Sequence, residues 1–128
     1  MQFLQFLNLL ESGFQIDRAE LWQWLDIIEK EVPQESNCCK DSDPQQMSYE
    51  KRRELVSSSC TYLGLKEIDN DWLDGVDDLA DILGDLQQVK WCLNYTSLDD
   101  AKWHYRFYYY NHFQKHIISI RKILKCFE

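Results

Sequence analysis

The sequence predicts an all-α protein, a single-domain antiparallel helical bundle of about five helices spanning residues 1–128, with the last helix central. Three observations carry this. Apolar residues recur at spacings of three and four along most of the chain. Only four glycines and two prolines interrupt its 128 residues. Five Trp, seven Tyr and six Phe supply large core side chains and disfavour both disorder and turn-rich β architectures. A chain of this length is expected to fold as one domain around one core.

Phe3, Leu4, Phe6, Leu7 and Leu10 form a first short helix, and Gly13 stands where a left-handed cap would end it. Asp17, three residues before Glu20, gives the capping-box pattern of a second helix, whose stripe of Leu21, Trp24, Leu25 and Ile28 stops before Pro33. From Gln34 to Met47 the chain is polar and reads as a long loop. Ser48 is placed to cap a third helix with Glu50 and Glu54 in its early turns, running to Tyr62 before Gly64. Its apolar face is thin.

The acidic stretch Leu65 to Gly75 reads as a turn or short helix leading into a fourth helix at about Val76 to Asn94, where Leu79, Ile82, Leu83, Leu86, Val89 and Leu93 share a side. Thr96 or Ser97 then caps a fifth helix, with Asp99 and Asp100 at its N-terminal end and Arg121, Lys122 and Lys125 toward the other. This last helix shows two apolar faces. Trp103, Tyr110, Phe113, Ile117, Ile120 and Leu124 make one, and Tyr105, Tyr109, His112, His116 and Ile123 its neighbour. Only the side near His104, Asn111, Lys115 and Lys122 is plainly polar, which places the helix in the middle of the bundle.

The net charge of −8 argues against nucleic acid and anionic membranes as partners, because both are bound through Lys and Arg; a macromolecular partner is expected to be basic. The opening MQFLQFLNLLESG lacks the positive leader of a signal peptide, and no run approaches the ~20 apolar residues of a membrane span, so a cytoplasmic location is expected. Five cysteines without a CxxC pair fit a reducing compartment. Cys60, Cys92 and Cys126 read as core residues, whereas Cys38 and Cys39 lie in the polar loop.

His112 and His116 stand four apart, on one helical face, where carboxylates of a neighbouring helix would meet them. A zinc-protease helix needs Glu directly after the first histidine, and Phe113 is there instead. The histidines therefore read as structural, bonded to Asp81 or Asp85 or to tyrosine, with no metal or other cofactor required; a metal-binding protein or enzyme built on His112, His116, Asp81 and Asp85 is the alternative. The stripe Asp74, Asp78, Asp81 and Asp85 divides in the same reading. Its inner part meets His112, His116 or Arg106, and its outer part joins Glu67, Asp69, Asp71 and Asp77 in an anionic surface that steers a basic partner.

Glu67, Asp69, Asp71, Trp72, Asp74, Asp77 and Asp78 are the expected partner-binding residues. Tyr108, Tyr109 and Tyr110 cannot all face inward on a helix, so some aromatics are expected at the surface, where Tyr and Trp serve as interface anchors. No nucleophile arrangement and no phosphate-binding glycine loop can be read, so no enzyme activity is expected.

The segment from Asp77 to Leu124 resembles the second half of a bacterial helical domain family of unknown function. That family pairs a Leu-Ala-Asp-Ile helix, followed by Asp-Leu, with a final helix bearing His-Trp-Gly-x-His. Leu79, Ala80, Asp81, Ile82, Asp85 and Leu86 match the first motif and His112 and His116 the second, with Phe113 and Gln114 in place of Trp and Gly. The resemblance covers a little over a third of the chain and implies an all-helical fold without an activity. In physical character the chain is also similar to the immunity proteins that bacteria make against nuclease toxins. The functional expectation is a cognate inhibitor of a basic toxin or nuclease domain, with an interaction adaptor as a further alternative and the oligomeric state open.

Overall fold

The computed structural model describes residues 1–13, 15–36, 42–65 and 70–125. Helix α1 (Phe3–Glu11) has no side-chain cap of its own. Its first N–H groups are instead accepted by the Glu31 carboxylate at the end of α2 (Arg18–Glu31), at 2.7 Å from Gln2 and 2.6 Å from Phe3. A negative charge at a helix N-terminus satisfies open donors and complements the helix dipole, so this pair closes the α1/α2 hairpin. Asp17 caps α2 through the Glu20 N–H at 2.8 Å. Ser48 caps α3 (Tyr49–Tyr62) through Lys51, and Ser97 caps α5 (Leu98–Tyr108) through Asp100.

Helix α4 runs from Asn70 to Tyr95, about a turn and a half longer at its start than the sequence predicts. Gly75 suggests a boundary there, yet it lies inside the helix. A Cβ at this position would come within 2.9 Å of Leu65 Cδ1 and 3.5 Å of Ile120 Cδ1, so its missing side chain lets α4 lie close against both neighbours. Helix packing has overridden the local breaker.

The final helical segment comprises α5, a π turn at Tyr109–Phe113, and α6 (Gln114–Lys125). Its buried residues explain the turn. Ala101, Tyr105, Tyr109, Phe113 and Ile117 are all buried at a constant spacing of four. Over those sixteen residues a regular α-helix drifts by about 160° at 100° per residue, which would carry Ile117 to the opposite side. A π turn takes in one extra residue and absorbs most of that drift. The two apolar faces read from sequence are therefore one face whose register shifts at the turn, and Tyr110, assigned there to the apolar stripe, is 56 % exposed. His104, assigned to the polar side, is buried.

Counting the last three segments as one rod, the described residues form an all-α, single-domain bundle of five helical rods. Helix α4 packs against α1, α3 and all three segments of the last rod. The last rod in turn touches α2, where the buried Tyr105 hydroxyl donates to the Ile28 carbonyl at 2.7 Å. These two inner helices are antiparallel, since Cys92 meets His104, Asp85 meets His112 and Asp78 meets His116. The core between them is continuous with Phe3, Phe6, Leu7 and Leu10 of α1 and with Leu21, Leu25 and Ile28 of α2. No helix of the described residues is long and apolar enough to cross a membrane.

Tyr105→Phe removes the hydroxyl that bonds Ile28 while preserving the ring against Phe3, and we expect a loss of about 1 kcal/mol in urea denaturation. Phe113→Ala, which empties a fully buried ring site under the π turn, should cost about 3–5 kcal/mol in the same assay.

Candidate functional site

Helix α4 carries polar groups on a face that the last rod covers. Asp78 and Asp85, seven residues apart, are 4 % and 5 % exposed, and Asp81 lies half-buried between them. Buried carboxylates need partners that restore the hydrogen bonds and charge balance lost with water. The π turn and the start of α6 provide these. His112 Nδ1 lies 2.6 Å from Asp85 Oδ2, and His116 Nδ1 lies 2.8 Å from Asp78 Oδ1. His116 Nε2 faces Asp81 Oδ2 at 3.0 Å.

Both His116 nitrogens therefore face carboxylate oxygens, which only accept, so the geometry suits an imidazolium donating from each side. Burial alone would lower the His116 pKa, but the hydrogen bonds and charges of Asp78 and Asp81 raise it to about 9. Asp81, by contrast, is pushed up by burial, yet the His116 bond and the charges of His116, His112 and Arg52 hold it below the usual carboxylate range. Burial raises Asp78 against the opposing effect of its bond to His116. For Asp85, burial prevails over His112 and carries the carboxyl to about 6.

Arg52 of α3 closes the other side of this seam. It is buried, donates to the Ala80 carbonyl at 2.6 Å and the Met47 carbonyl at 3.0 Å, and stands 4.0 Å from Asp81. Gly84 makes the space: a Cβ there would overlap the Arg52 guanidinium and the Gln46 amide. The end of the loop before α3 is fixed to the same helix. Met47 N–H donates to Gln87 at 3.0 Å, and Gln88 donates to the Pro44 carbonyl.

A second polar cluster lies where α4 turns into α5. Asp100 is fully buried and accepts from Thr96 at 2.6 Å and Ser42 at 3.0 Å. His104 Nδ1 stands 2.9 Å from the Asp100 carbonyl, 3.2 Å from its carboxylate and 3.5 Å from Cys92 Sγ. These residue types suggest a thiol nucleophile with its base, but the connectivity opposes it. A carbonyl accepts only, so Nδ1 carries the proton and cannot take one from the thiol facing the same nitrogen. Burial, then the Asp100 charge, push the Cys92 thiol up to about 12.

The structure thus brings Asp81, Asp85, His112 and His116 together in one seam. It also moves Asp78, expected at the partner-binding surface, into that seam, because its burial and its bond to His116 remove it from any partner's reach. Arg106, expected near the aspartates, instead donates to the Pro33 carbonyl and lies over Tyr110. Asp71 and Asp74 are exposed, Trp72 is half-buried, and Asp77 accepts from the Tyr49 hydroxyl at 2.8 Å. Glu67 and Asp69 lie outside the described residues, as do Cys38, Cys39 and Cys126. Cys60 and Cys92 are fully buried.

Sequence reading missed Arg52 and the Cys92, Asp100, His104 cluster. The available signals were slight: Arg52 stands four before the apolar Val56, and Asp100 four before His104. No family model, no curated protein and no solved structure matches the chain.

His116 holds its proton more tightly in the folded than in the unfolded chain. Its stabilising contribution is therefore complete below its ordinary value of 6.5 and is lost as pH rises through about 9. Denaturation in EDTA-containing buffer across this window should show wild-type stability falling relative to a His116→Gln variant; parallel curves would contradict the assignment. At neutral pH, His116→Ala should destabilise by about 1–3 kcal/mol, because it leaves Asp78 buried without its donor.

Proposed function

We propose that this protein is an immunity protein, which binds a basic bacterial toxin domain of the nuclease type and blocks substrate access without chemistry of its own. The proposal includes kinship with the bacterial helical family whose paired motifs Asp81, Asp85, His112 and His116 resemble.

The observation that carries it is the acidic groove between α3 and the start of α4. A cleft of about 360 Å³ is lined by Glu50, Arg53, Glu54, Ser57 and Trp72. Asp71 and Asp74 are exposed on the helix that bears Trp72, and the Tyr49–Asp77 bond joins the two helices nearby. Arg53, the one cation lining the cleft among the described residues, lies over the Trp72 ring. A surface with this excess of carboxylates attracts a cationic partner and repels nucleic acid, and the −8 net charge extends the field beyond the cleft.

A nuclease must present cations to hold a phosphodiester backbone, so its substrate-binding face is the electrostatic complement of this groove. Tyr49 and Leu73, exposed on the two helices that form the groove, offer apolar contact area. The buried seam supports the reading in another way, by fixing α4 and hence the groove wall. A preformed surface gives up less conformational freedom on binding than a mobile one.

The test is capture with the full chain as bait from its native cells, followed by co-expression of the captured protein with and without this one. A basic protein that arrests growth alone and is harmless when co-expressed is the expected result. A captured partner without toxicity, or toxicity that persists on co-expression, would overturn the reading. With that partner in hand, Asp71→Lys combined with Asp74→Lys should slow association and flatten its salt dependence, while leaving thermal stability nearly unchanged. Unaltered association kinetics would place the interface elsewhere.

A further inference from the structure

We infer that Asp81, His112 and His116 form a binding site for a divalent transition-metal ion of the zinc class, which ties the π turn of the last rod to α4. The inference rests on how the three side chains are held together. One donor atom from each lies within 4.8 Å of the other two. The His116 Nε2 to Asp81 Oδ2 separation of 3.0 Å is close to the edge of a tetrahedron around zinc, about 3.3 Å for bonds near 2.0–2.1 Å. Two imidazoles and a carboxylate suit zinc and its neighbours, whereas calcium and magnesium prefer all-oxygen sets.

The surrounding shell has the form that such sites use. A metal-bound histidine usually donates its other ring N–H to a carboxylate, which fixes the ring and raises its basicity. His116 has this arrangement, with Nδ1 on the buried Asp78 and Nε2 turned toward Asp81. His112 too is oriented by a buried carboxylate, that of Asp85.

Charge balance supplies an independent observation. Three aspartates face two histidines, and the nearest guanidinium, Arg52, is 4.0 Å from Asp81 and bonded to two carbonyls. Asp78 Oδ2 is buried without a hydrogen-bond partner. A dication would supply positive charge where the seam is short of it. The site also has an entrance, since the His112 side chain is 38 % and that of Asp81 19 % exposed. In the metal-free protein the His116 proton occupies the place toward Asp81, so binding must displace it. The Cys92, Asp100, His104 cluster, by contrast, is closed to solvent.

The experiment is titration of the EDTA-stripped, dialysed full chain with Zn²⁺ by calorimetry, with Co²⁺ as a spectroscopic and paramagnetic substitute. We expect one equivalent to bind, to raise the melting temperature, and to shift the resonances of Asp81, His112 and His116 most strongly when Co²⁺ is used. His112→Gln and Asp81→Asn should each abolish saturable binding, and Asp85→Asn should weaken it by about 10- to 100-fold. Cys38→Ser combined with Cys39→Ser should leave it intact. No saturable binding, binding that survives either His112→Gln or Asp81→Asn, or its loss in the cysteine variant would overturn the proposal. The Co²⁺ shifts decide on wild-type protein alone: if they centre elsewhere, the site is wrong however the variants fold.

Discussion

The fold depends on how three carboxylates of α4 are neutralised inside the bundle. Asp78, Asp81 and Asp85 lie along the side of α4 that the last rod covers, and leaving any of them buried and unpaired would cost several kcal/mol. The last rod brings His112 and His116 to them, and α3 brings Arg52. Hydrophobic burial has no direction, so by itself it specifies the register of the last rod against α4 less sharply than directed bonds do. The aspartate–histidine bonds specify it, because a shift of one residue would part both pairs. In this bundle the polar seam fixes the register that the apolar core leaves loosely specified.

That requirement, added to the apolar face that must stay buried along the rod, accounts for the π turn. The same rod must keep Tyr105 on Ile28 near its beginning, Phe113 in the core at its middle, and His116 over Asp78 and Asp81 beyond. A regular α-helix cannot hold residues four apart on one face for that distance. One wide turn at Tyr109–Phe113 meets the three demands together and puts His112 against Asp85. The other ends of the bundle are closed by similar long-range polar ties. Arg121 of α6 bonds Asp26 and Glu29 of α2, Tyr109 donates to the same Glu29, and Glu31 caps α1.

The helical fold was legible because it rests on short-range signals. Asp17, Ser48 and Ser97 act as caps where the sequence places them, and the apolar spacing of α1, α2 and α4 is that of buried helix faces. The gathering of Asp81, Asp85, His112 and His116 was legible too, since acidic and histidine residues on two apolar helices must find partners. The placement of Asp78 was not. On the α4 stripe it differs from exposed Asp74 only by a single turn, and burial there is decided by where α6 crosses. The start of α4 was hidden by Gly75, whose role is close packing against Leu65. The π turn had left a trace, the run of buried residues at spacing four, that a search for regular helical periods divides into two faces.

The most direct test of this account is the protonation state of His116 in the metal-free protein, read from its ring nitrogen and carbon shifts by NMR across a pH titration. The seam predicts an imidazolium with both N–H groups bonded at neutral pH, releasing its proton near 9. A neutral ring titrating near the ordinary 6.5 would mean that Asp78 and Asp81 do not clasp it, and that something other than this seam sets the register of the bundle.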